Sequence, residues 1–172
     1  MNDTRHPRAI PIARGFTLLE LLVVVVIVAI LTSFAVLGLG NRASTVVQEE
    51  RQRLISLVDL AREEAVLEGR NYGLGFWRAG YAFYELRDGD WAALGSDAAL
   101  RERAWPEELE VTVLLERLAI ALRPDPPERP QVFLFASGEI TPFEVRLQVQ
   151  GQPDTEQTLR RDLLGRPVDT AD

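Results

Sequence analysis

The 172-residue chain contains no cysteine and no lysine, and it has a single histidine, His6. Without cysteine there can be neither a disulfide framework nor a thiolate zinc site. If the first residues are removed, the remaining chain has no histidine. That excludes a Ser-His-Asp triad, a Cys-His pair and a histidine-ligated metal from the mature form. All 19 basic residues are arginine, a bias that carries no functional weight here. They are outnumbered by 26 acids, and the formal net charge is -7. Such a balance disfavours non-specific attraction to nucleic acid phosphates. The length suggests one modest domain plus whatever the N-terminus does.

What is present is most distinctive at the N-terminus. The first fourteen residues carry Arg5, Arg8 and Arg14 against one acid, Asp3. From Leu21 to Leu39 there are 19 residues without a charge, and Thr32 and Ser33 are the only polar side chains. A bilayer core needs about 20 apolar helical residues, so this run is long enough to span. A cleaved secretory signal has a shorter apolar region and ends in small residues, and no such site precedes the exit of this run. The positive-inside rule places residues 1–14 in the cytoplasm and the rest outside it. Glu20 sits near the start of the run. An acid in a span is costly at mid-bilayer, less so near an interface, and marks a functional site with a partner. A carboxylate resting at the headgroup level is the plain alternative, and physics alone does not separate the two.

The order of residues around Glu20 adds to this. A basic leader precedes Gly15, then comes Phe16-Thr17-Leu18-Leu19-Glu20, then the apolar helix. This string resembles the class III signal of type IV pilins and type II secretion pseudopilins. The resemblance implies that a prepilin peptidase cuts after Gly15 and methylates the new amine of Phe16. It also implies that Glu20 is the family's acid at the fifth mature position. Cutting there leaves the apolar segment in place as an anchor. Glycine suits a narrow protease site because it has no side chain. Cleavage creates a positive amine at Phe16, and an opposite charge in a low-dielectric setting is its natural partner. Glu20 is thus expected to neutralise the amine of a neighbouring subunit.

After Gly40 the composition changes. Val47, Leu54, Val58, Ala61 and Ala65 fall on one helical stripe, widened by Leu57 and Leu60. Glu49, Glu50, Arg51, Arg53, Arg62 and Glu63 are assigned to other, solvated faces. Gly69 is placed as a C-terminal cap. This predicts one helix from about Phe16 to Glu68, roughly 80 Å long, with Gly38 and Gly40 as points of bending or local melting. From Asn71 the pattern is β. Asp88-Gly89 is a hairpin turn. Strands are predicted in "LEVTVLL" from Leu109, "RLAIAL" from Arg117, "QVFLFA" from Gln131 and "FEVRLQV" from Phe143. "RPDPPERP", residues 123–130, is a proline-rich loop. Ser137-Gly138 is a turn, and "TEQTLRRDLLG" from Thr155 is either a final strand or a short helix. Residues 168–172 are expected to be a frayed tail.

The stretch "QVFLFASGEITPFEVRLQV" is also similar to the C-terminal region of the H-type minor pseudopilins. The resemblance favours a strand for the last segment. It implies a pilin-like α+β fold: a long N-terminal hydrophobic helix followed by an antiparallel β domain of two packed sheets. The expected organisation is residues 1–15 a cleaved prepilin leader, 16–40 a transmembrane and assembly segment, 41–69 the amphipathic half of the helix, and 70–172 a globular periplasmic domain. The implied function is that of a minor pseudopilin of type II secretion, a structural subunit near the tip of a periplasmic fibre that supports export of folded proteins. Its implied partners are the prepilin peptidase, other minor pseudopilins, the major pseudopilin and the inner membrane.

Nothing else in the sequence competes with this. Glu107, Glu108 and Glu110 could be a catalytic carboxylate group, but exposed acids at a strand start are the simpler reading. Tyr72, Phe76, Trp77, Tyr81, Phe83 and Tyr84 are read as core rather than as an aromatic ligand surface. Gly73 and Gly75 lack the strand-to-helix context of a phosphate loop. Asp162, Asp169 and Asp172 are too scattered for a calcium loop. No cofactor, metal site or enzymatic activity is expected. A minor pilin of a type IV or DNA-uptake pilus is the nearest alternative. A DNA receptor would present a basic stripe, whereas residues 41–172 hold 16 arginines against 24 acids. A signal-anchored periplasmic binding domain or enzyme would need a polar pocket with converging titratable groups.

Overall fold

The computed structural model describes residues 18–95 and 99–168. Gly15 and Phe16, like Asp169 and Asp172, lie outside the described residues. The elements are one helix, α1 (Leu18–Glu68), and nine strands. These are β1 (Tyr72–Trp77), β2 (Gly80–Arg87), β3 (Asp90–Ala93), β4 (Arg103–Ala104), β5 (Leu109–Leu115), β6 (Leu118–Ala119), β7 (Val132–Leu134), β8 (Phe143–Val149) and β9 (Gln152–Arg161). The chain divides into two compact units, residues 1–40 and 41–172.

In the first unit, the side chains from Leu18 to Leu31 are exposed. Among the described residues, no helix is long and apolar enough to cross a membrane. The described apolar side chains of residues 18–31 are fewer than the roughly 20 that a bilayer core requires. α1 remains helical through Gly38 and Gly40 rather than melting there.

The second unit contains the rest of α1 and two antiparallel sheets. One sheet has the order β3-β2-β1-β7, with β4 also paired to β2; the other has the order β6-β5-β8-β9. Strand alternation sends Tyr72, Leu74 and Phe76 of β1 and Tyr81 and Phe83 of β2 into the core. Val113 of β5, Val145 and Leu147 of β8 and Leu159 of β9 reach it from the other sheet. The helical stripe Val47, Leu54, Val58, Ala61 and Ala65 belongs to the same cluster. The Phe76 and Phe143 rings, one from each sheet, have centroids 6.4 Å apart. Full burial of a large apolar side chain contributes about 1.5–3 kcal/mol, so this shared cluster holds helix and sheets together.

The helix ends as its sequence dictates. Gly69 adopts φ 65, and the Arg70 amide donates to the Ala65 carbonyl at 3.1 Å. This is a glycine cap that satisfies an otherwise orphaned carbonyl. The Asp88-Gly89 turn joins β2 to β3 with both residues at positive φ. The predicted strand from Arg117 pairs only at Leu118–Ala119. Beyond Ile120 the chain leaves β5, and the Arg123 carbonyl accepts a hydrogen bond from the Arg78 amide at the end of β1. The last segment is a strand, β9, with Pro153 near the start of an edge strand, where a missing N–H is tolerated.

The proline-rich loop explains Gly73 and Gly75. Both lie on the outer face of β1. A Cβ on Gly73 would come within 2.7 Å of Pro130 Cβ, and one on Gly75 within 2.9 Å of Pro127 Cγ. The Tyr84 hydroxyl donates to the Pro127 carbonyl at 2.9 Å. The glycines therefore make room for the loop, with Trp77, Ala82, Tyr84 and Trp91 packed on the same side.

Candidate functional site

Of the three residues singled out for processing and assembly, only Glu20 is described. It lies in the first turn of α1 as described, on an exposed stretch of helix. The side chains around it, Leu18, Leu19, Leu21 and Leu22, are all more than half exposed. An apolar helical surface of this extent is an interaction surface for lipid or for other helices.

The other half of the arrangement is how residues 42–68 are fixed to the sheets. Glu50 is not on a solvated face, as the sequence reading held. It is 1% exposed, and its carboxylate accepts a hydrogen bond from the Tyr81 hydroxyl at 3.1 Å. Arg53, one turn on, forms an ion pair with its other oxygen. The signal was in the sequence: the interval of seven between Val47 and Leu54 leaves a stripe position open at i+3, and Glu50 fills it. The Tyr81 hydroxyl is held well above its ordinary pKa of 10 by burial, then by the negative charge of Glu50 and by the hydrogen bond to it. It therefore remains a donor.

Further contacts repeat this pattern along the helix. Arg51 Nε donates to the Thr158 carbonyl at 2.9 Å. Arg161, buried on β9, pairs with Asp59 at 3.1 Å. Arg62 Nε donates to the Gly138 carbonyl at 2.7 Å. These are backbone and carboxylate contacts that set the helix register on the domain. Two other buried acids are clamped by arginine pairs. Glu85 lies 2.5 Å from both Arg70 and Arg87. The Arg87 hydrogen bond, helped by Arg70 against the cost of burial, holds its carboxyl below the usual range. Burial pushes Glu144 upward, but hydrogen bonds from Arg146 and Arg160 outweigh it and the net direction is down.

The residues weighed for chemistry are not assembled for it. Glu107, Glu108 and Glu110 are exposed. Among the described residues, no group of three or more histidine, cysteine or acidic side chains could hold a metal ion. Asp162 accepts hydrogen bonds from the Leu164 and Arg166 amides and from Arg166 Nε, so it caps a turn. The six aromatic residues from Tyr72 to Tyr84 are buried, as expected of core.

Comparison with known proteins agrees with this arrangement. The family model for type II transport protein GspH matches residues 50–165. The prokaryotic N-terminal methylation motif matches residues 12–36, a range that contains Gly15, Phe16 and Glu20. The type II secretion system protein H of Pseudomonas aeruginosa is 33% identical over 161 residues, covering 87% of this chain and 91% of that protein. The protein of the same name from Escherichia coli is 33% identical over 153 residues, 85% and 87% of the two chains. Among solved structures, the minor pseudopilin EpsH of Vibrio cholerae superposes with a TM-score of 0.61 at 23% identity, over 73% of this chain and 98% of that one. Escherichia coli GspH gives 0.58 at 25% identity, over 76% and 94%. The chain belongs to the GspH family, and its helix followed by two antiparallel sheets is the pilin-like fold of those structures.

Proposed function

We propose that this protein is a minor pseudopilin of a type II secretion system: a structural subunit of a short periplasmic fibre that supports export of folded proteins. The observation that carries this reading is the pairing of two features in one chain. An N-terminal methylation motif spans residues 12–36, and a GspH-type domain follows over residues 50–165. The exposed apolar surface of residues 18–31 supports an anchoring and assembly role. The arginine and tyrosine contacts fix residues 42–68 to the sheets within the domain.

On this reading a prepilin peptidase removes residues 1–15 by cutting after Gly15, then methylates Phe16. Residues 16–40 anchor the chain in the inner membrane before assembly and pack among neighbouring helices afterwards. The domain from residue 41 lies in the periplasm. Glu20 neutralises the Phe16 amine of an adjacent subunit, a pairing favoured in a low-dielectric surround. Partners are the prepilin peptidase, other minor pseudopilins and the major pseudopilin.

Intact-mass analysis of the membrane-extracted protein tests this. The expected species lacks residues 1–15 and carries one added methyl. Recovery of only the full-length chain from a host with active prepilin peptidase overturns the processing step. Gly15→Val is expected to block it, because a branched side chain obstructs the narrow protease site.

A further inference from the structure

β7 stops short along the edge of β1. It pairs with Tyr72, Gly73 and Leu74, and the same antiparallel register would next set Pro130 opposite Phe76. Proline has no N–H, so it cannot donate to the Phe76 carbonyl. The neighbouring side chain takes its place. The Phe76 amide donates to Gln131 Oε1 at 2.7 Å, and Gln131 Nε2 donates to the Phe76 carbonyl at 2.9 Å. One side-chain amide thus makes both of the bonds that a residue of a paired strand would make. Phe76 is fully buried, where a main-chain group without a partner is costly.

Gln131 is also one foot of the proline-rich segment. The other foot lies two residues further along the chain from Phe76. There the Arg78 amide donates to the Arg123 carbonyl at 2.9 Å, and Arg78 Nε donates to the Leu122 carbonyl at 3.1 Å. Between the feet, the Tyr84 hydroxyl donates to the Pro127 carbonyl at 2.9 Å, and Pro127 and Pro130 lie over Gly75 and Gly73. Pro124, Asp125, Pro126, Glu128 and Arg129 are exposed. The cluster on this outer face, Trp77, Ala82, Tyr84 and Trp91, is separate from the core that the helix shares with the inner faces of the sheets. A groove of about 410 Å³, lined in part by Gln131, Arg123, Pro127 and Ile120, runs beside the Gln131 foot. It has room for water to replace the side-chain amide at Phe76 when the segment lifts.

From this arrangement we infer that residues 123–130 are a strap that opens and closes as one unit over the outer face of β1 and β2, with the Gln131 side chain as its latch. A segment whose feet are bonded two residues apart can lift without separating any pair of strands. Opening uncovers Gly73, Gly75, Tyr84 and Trp91 and leaves the core between the two sheets folded. Gln131 acts through Phe76 and is a positioning residue. The inference is independent of the fibre reading, since it concerns only contacts within the domain.

Amide exchange on the full chain in detergent micelles tests it. In Gln131→Ala the Phe76 amide loses its partner directly, so the informative amide is that of Arg78, bonded at the other foot. It is expected to exchange about tenfold faster, while the amides of β8 keep their wild-type rates. Tyr84→Phe removes the tether between the feet without altering either of them. The Phe76 and Arg78 amides should then accelerate together, by a common factor of about five. Three results overturn the inference: an Arg78 amide unmoved by Gln131→Ala, β8 amides that accelerate by the same factor as Arg78, or a Tyr84→Phe variant in which the two feet do not accelerate together. The first would mean that the feet open separately, and the second that Gln131 stabilises the whole domain rather than the strap.

Discussion

The Tyr81 hydroxyl and the Glu50 carboxylate meet at 3.1 Å inside the domain, joining the start of β2 to α1. Both residues are at most 1% exposed. Removing either leaves a polar group in the core, but not the same group. Tyr81→Phe deletes one donor and leaves Glu50 paired with Arg53, a loss of about 1–2 kcal/mol. Glu50→Ala strands the buried hydroxyl and releases Arg53, and is expected to cost about 3 kcal/mol. Urea unfolding of the two single variants and the double variant should show that the effects are not additive, with the double close to Glu50→Ala alone. Additive losses would mean that the hydrogen bond does not couple the two positions.

Most of this fold could be read from periodicity. The stripe Val47, Leu54, Val58, Ala61 and Ala65 has intervals of seven, four, three and four, and every member is buried. The strands at Leu109 and Phe143 alternate, and both appear where alternation places them. What was not legible depended on partners distant in sequence. Glu50 occupies a stripe position, and beside the nearby Arg53 the partner that makes it tolerable for a carboxylate is the Tyr81 hydroxyl, 31 residues away. The run from Arg117 reads as one strand, but the Arg78 amide captures the Arg123 carbonyl and draws the chain off β5. The sequence showed that Gly73 and Gly75 are not a phosphate loop, but their role is visible only where Pro127 and Pro130 pack against them. Residues 15–20 were legible only as a motif. On the proposed reading their chemistry belongs to processing and to assembly with other chains, which a single sequence does not contain.

Acid should loosen the domain in a defined window. Glu85 and Glu144 both have carboxyls held below their ordinary value of 4.5, through the arginines bonded to them. A carboxyl with a depressed folded pKa stabilises the fold fully above its unfolded value, and that contribution is lost as pH falls through the folded value. Stability should therefore decline as pH drops below about 4.5, the ordinary value for these groups. Glu144→Gln should be less stable than wild type at pH 7 and should approach it at low pH. Urea midpoints measured across this range would show it. A constant gap at all pH values would mean that Glu144 contributes through packing rather than charge.

The outer face of β1 gives a steric prediction. A methyl group at Gly73 would overlap the ring of Pro130, which is buried and has no free rotamer to yield. At Gly75 it would meet Tyr84 at 2.7 Å and Pro127 at 2.9 Å. Overpacking of this kind costs about 1–3 kcal/mol. Gly73→Ala is expected to lower the thermal midpoint and to raise protease sensitivity within residues 123–130, because the loop must lift to make room. At Gly89 a Cβ would meet nothing within 4 Å, so Gly89→Asn, which tolerates positive φ, should leave that loop intact. Equal sensitivity in the two variants would show that the loop is not held by the glycine face.

Glu20 is the residue on which the assembly reading turns. Replacing it with valine removes a polar group from an apolar stretch of helix, so membrane anchoring should if anything improve. Cleavage after Gly15 should continue, since the acid lies beyond the bond that is cut. The defect should appear when subunits pack. The Phe16 amine of a neighbour would then sit among apolar side chains without its counter-charge, and stranding one member of a buried pair costs about 3–5 kcal/mol. The expected phenotype is a processed, membrane-held subunit that crosslinks poorly to fibre partners at equal expression and supports secretion weakly. A subunit present in few copies makes fewer repeated contacts than the fibre's main component, so a partial loss is expected rather than a complete one. Glu20→Gln, which keeps the shape and a hydrogen-bonding group but not the charge, separates the two roles. If Gln restores crosslinking, the amine needs only an acceptor. If it behaves as Val does, the charge itself is what the neighbour's amine requires. Unchanged crosslinking and secretion in Glu20→Val would return the residue to a carboxylate resting at the headgroup level, and a defect confined to cleavage would assign the acid to the peptidase instead.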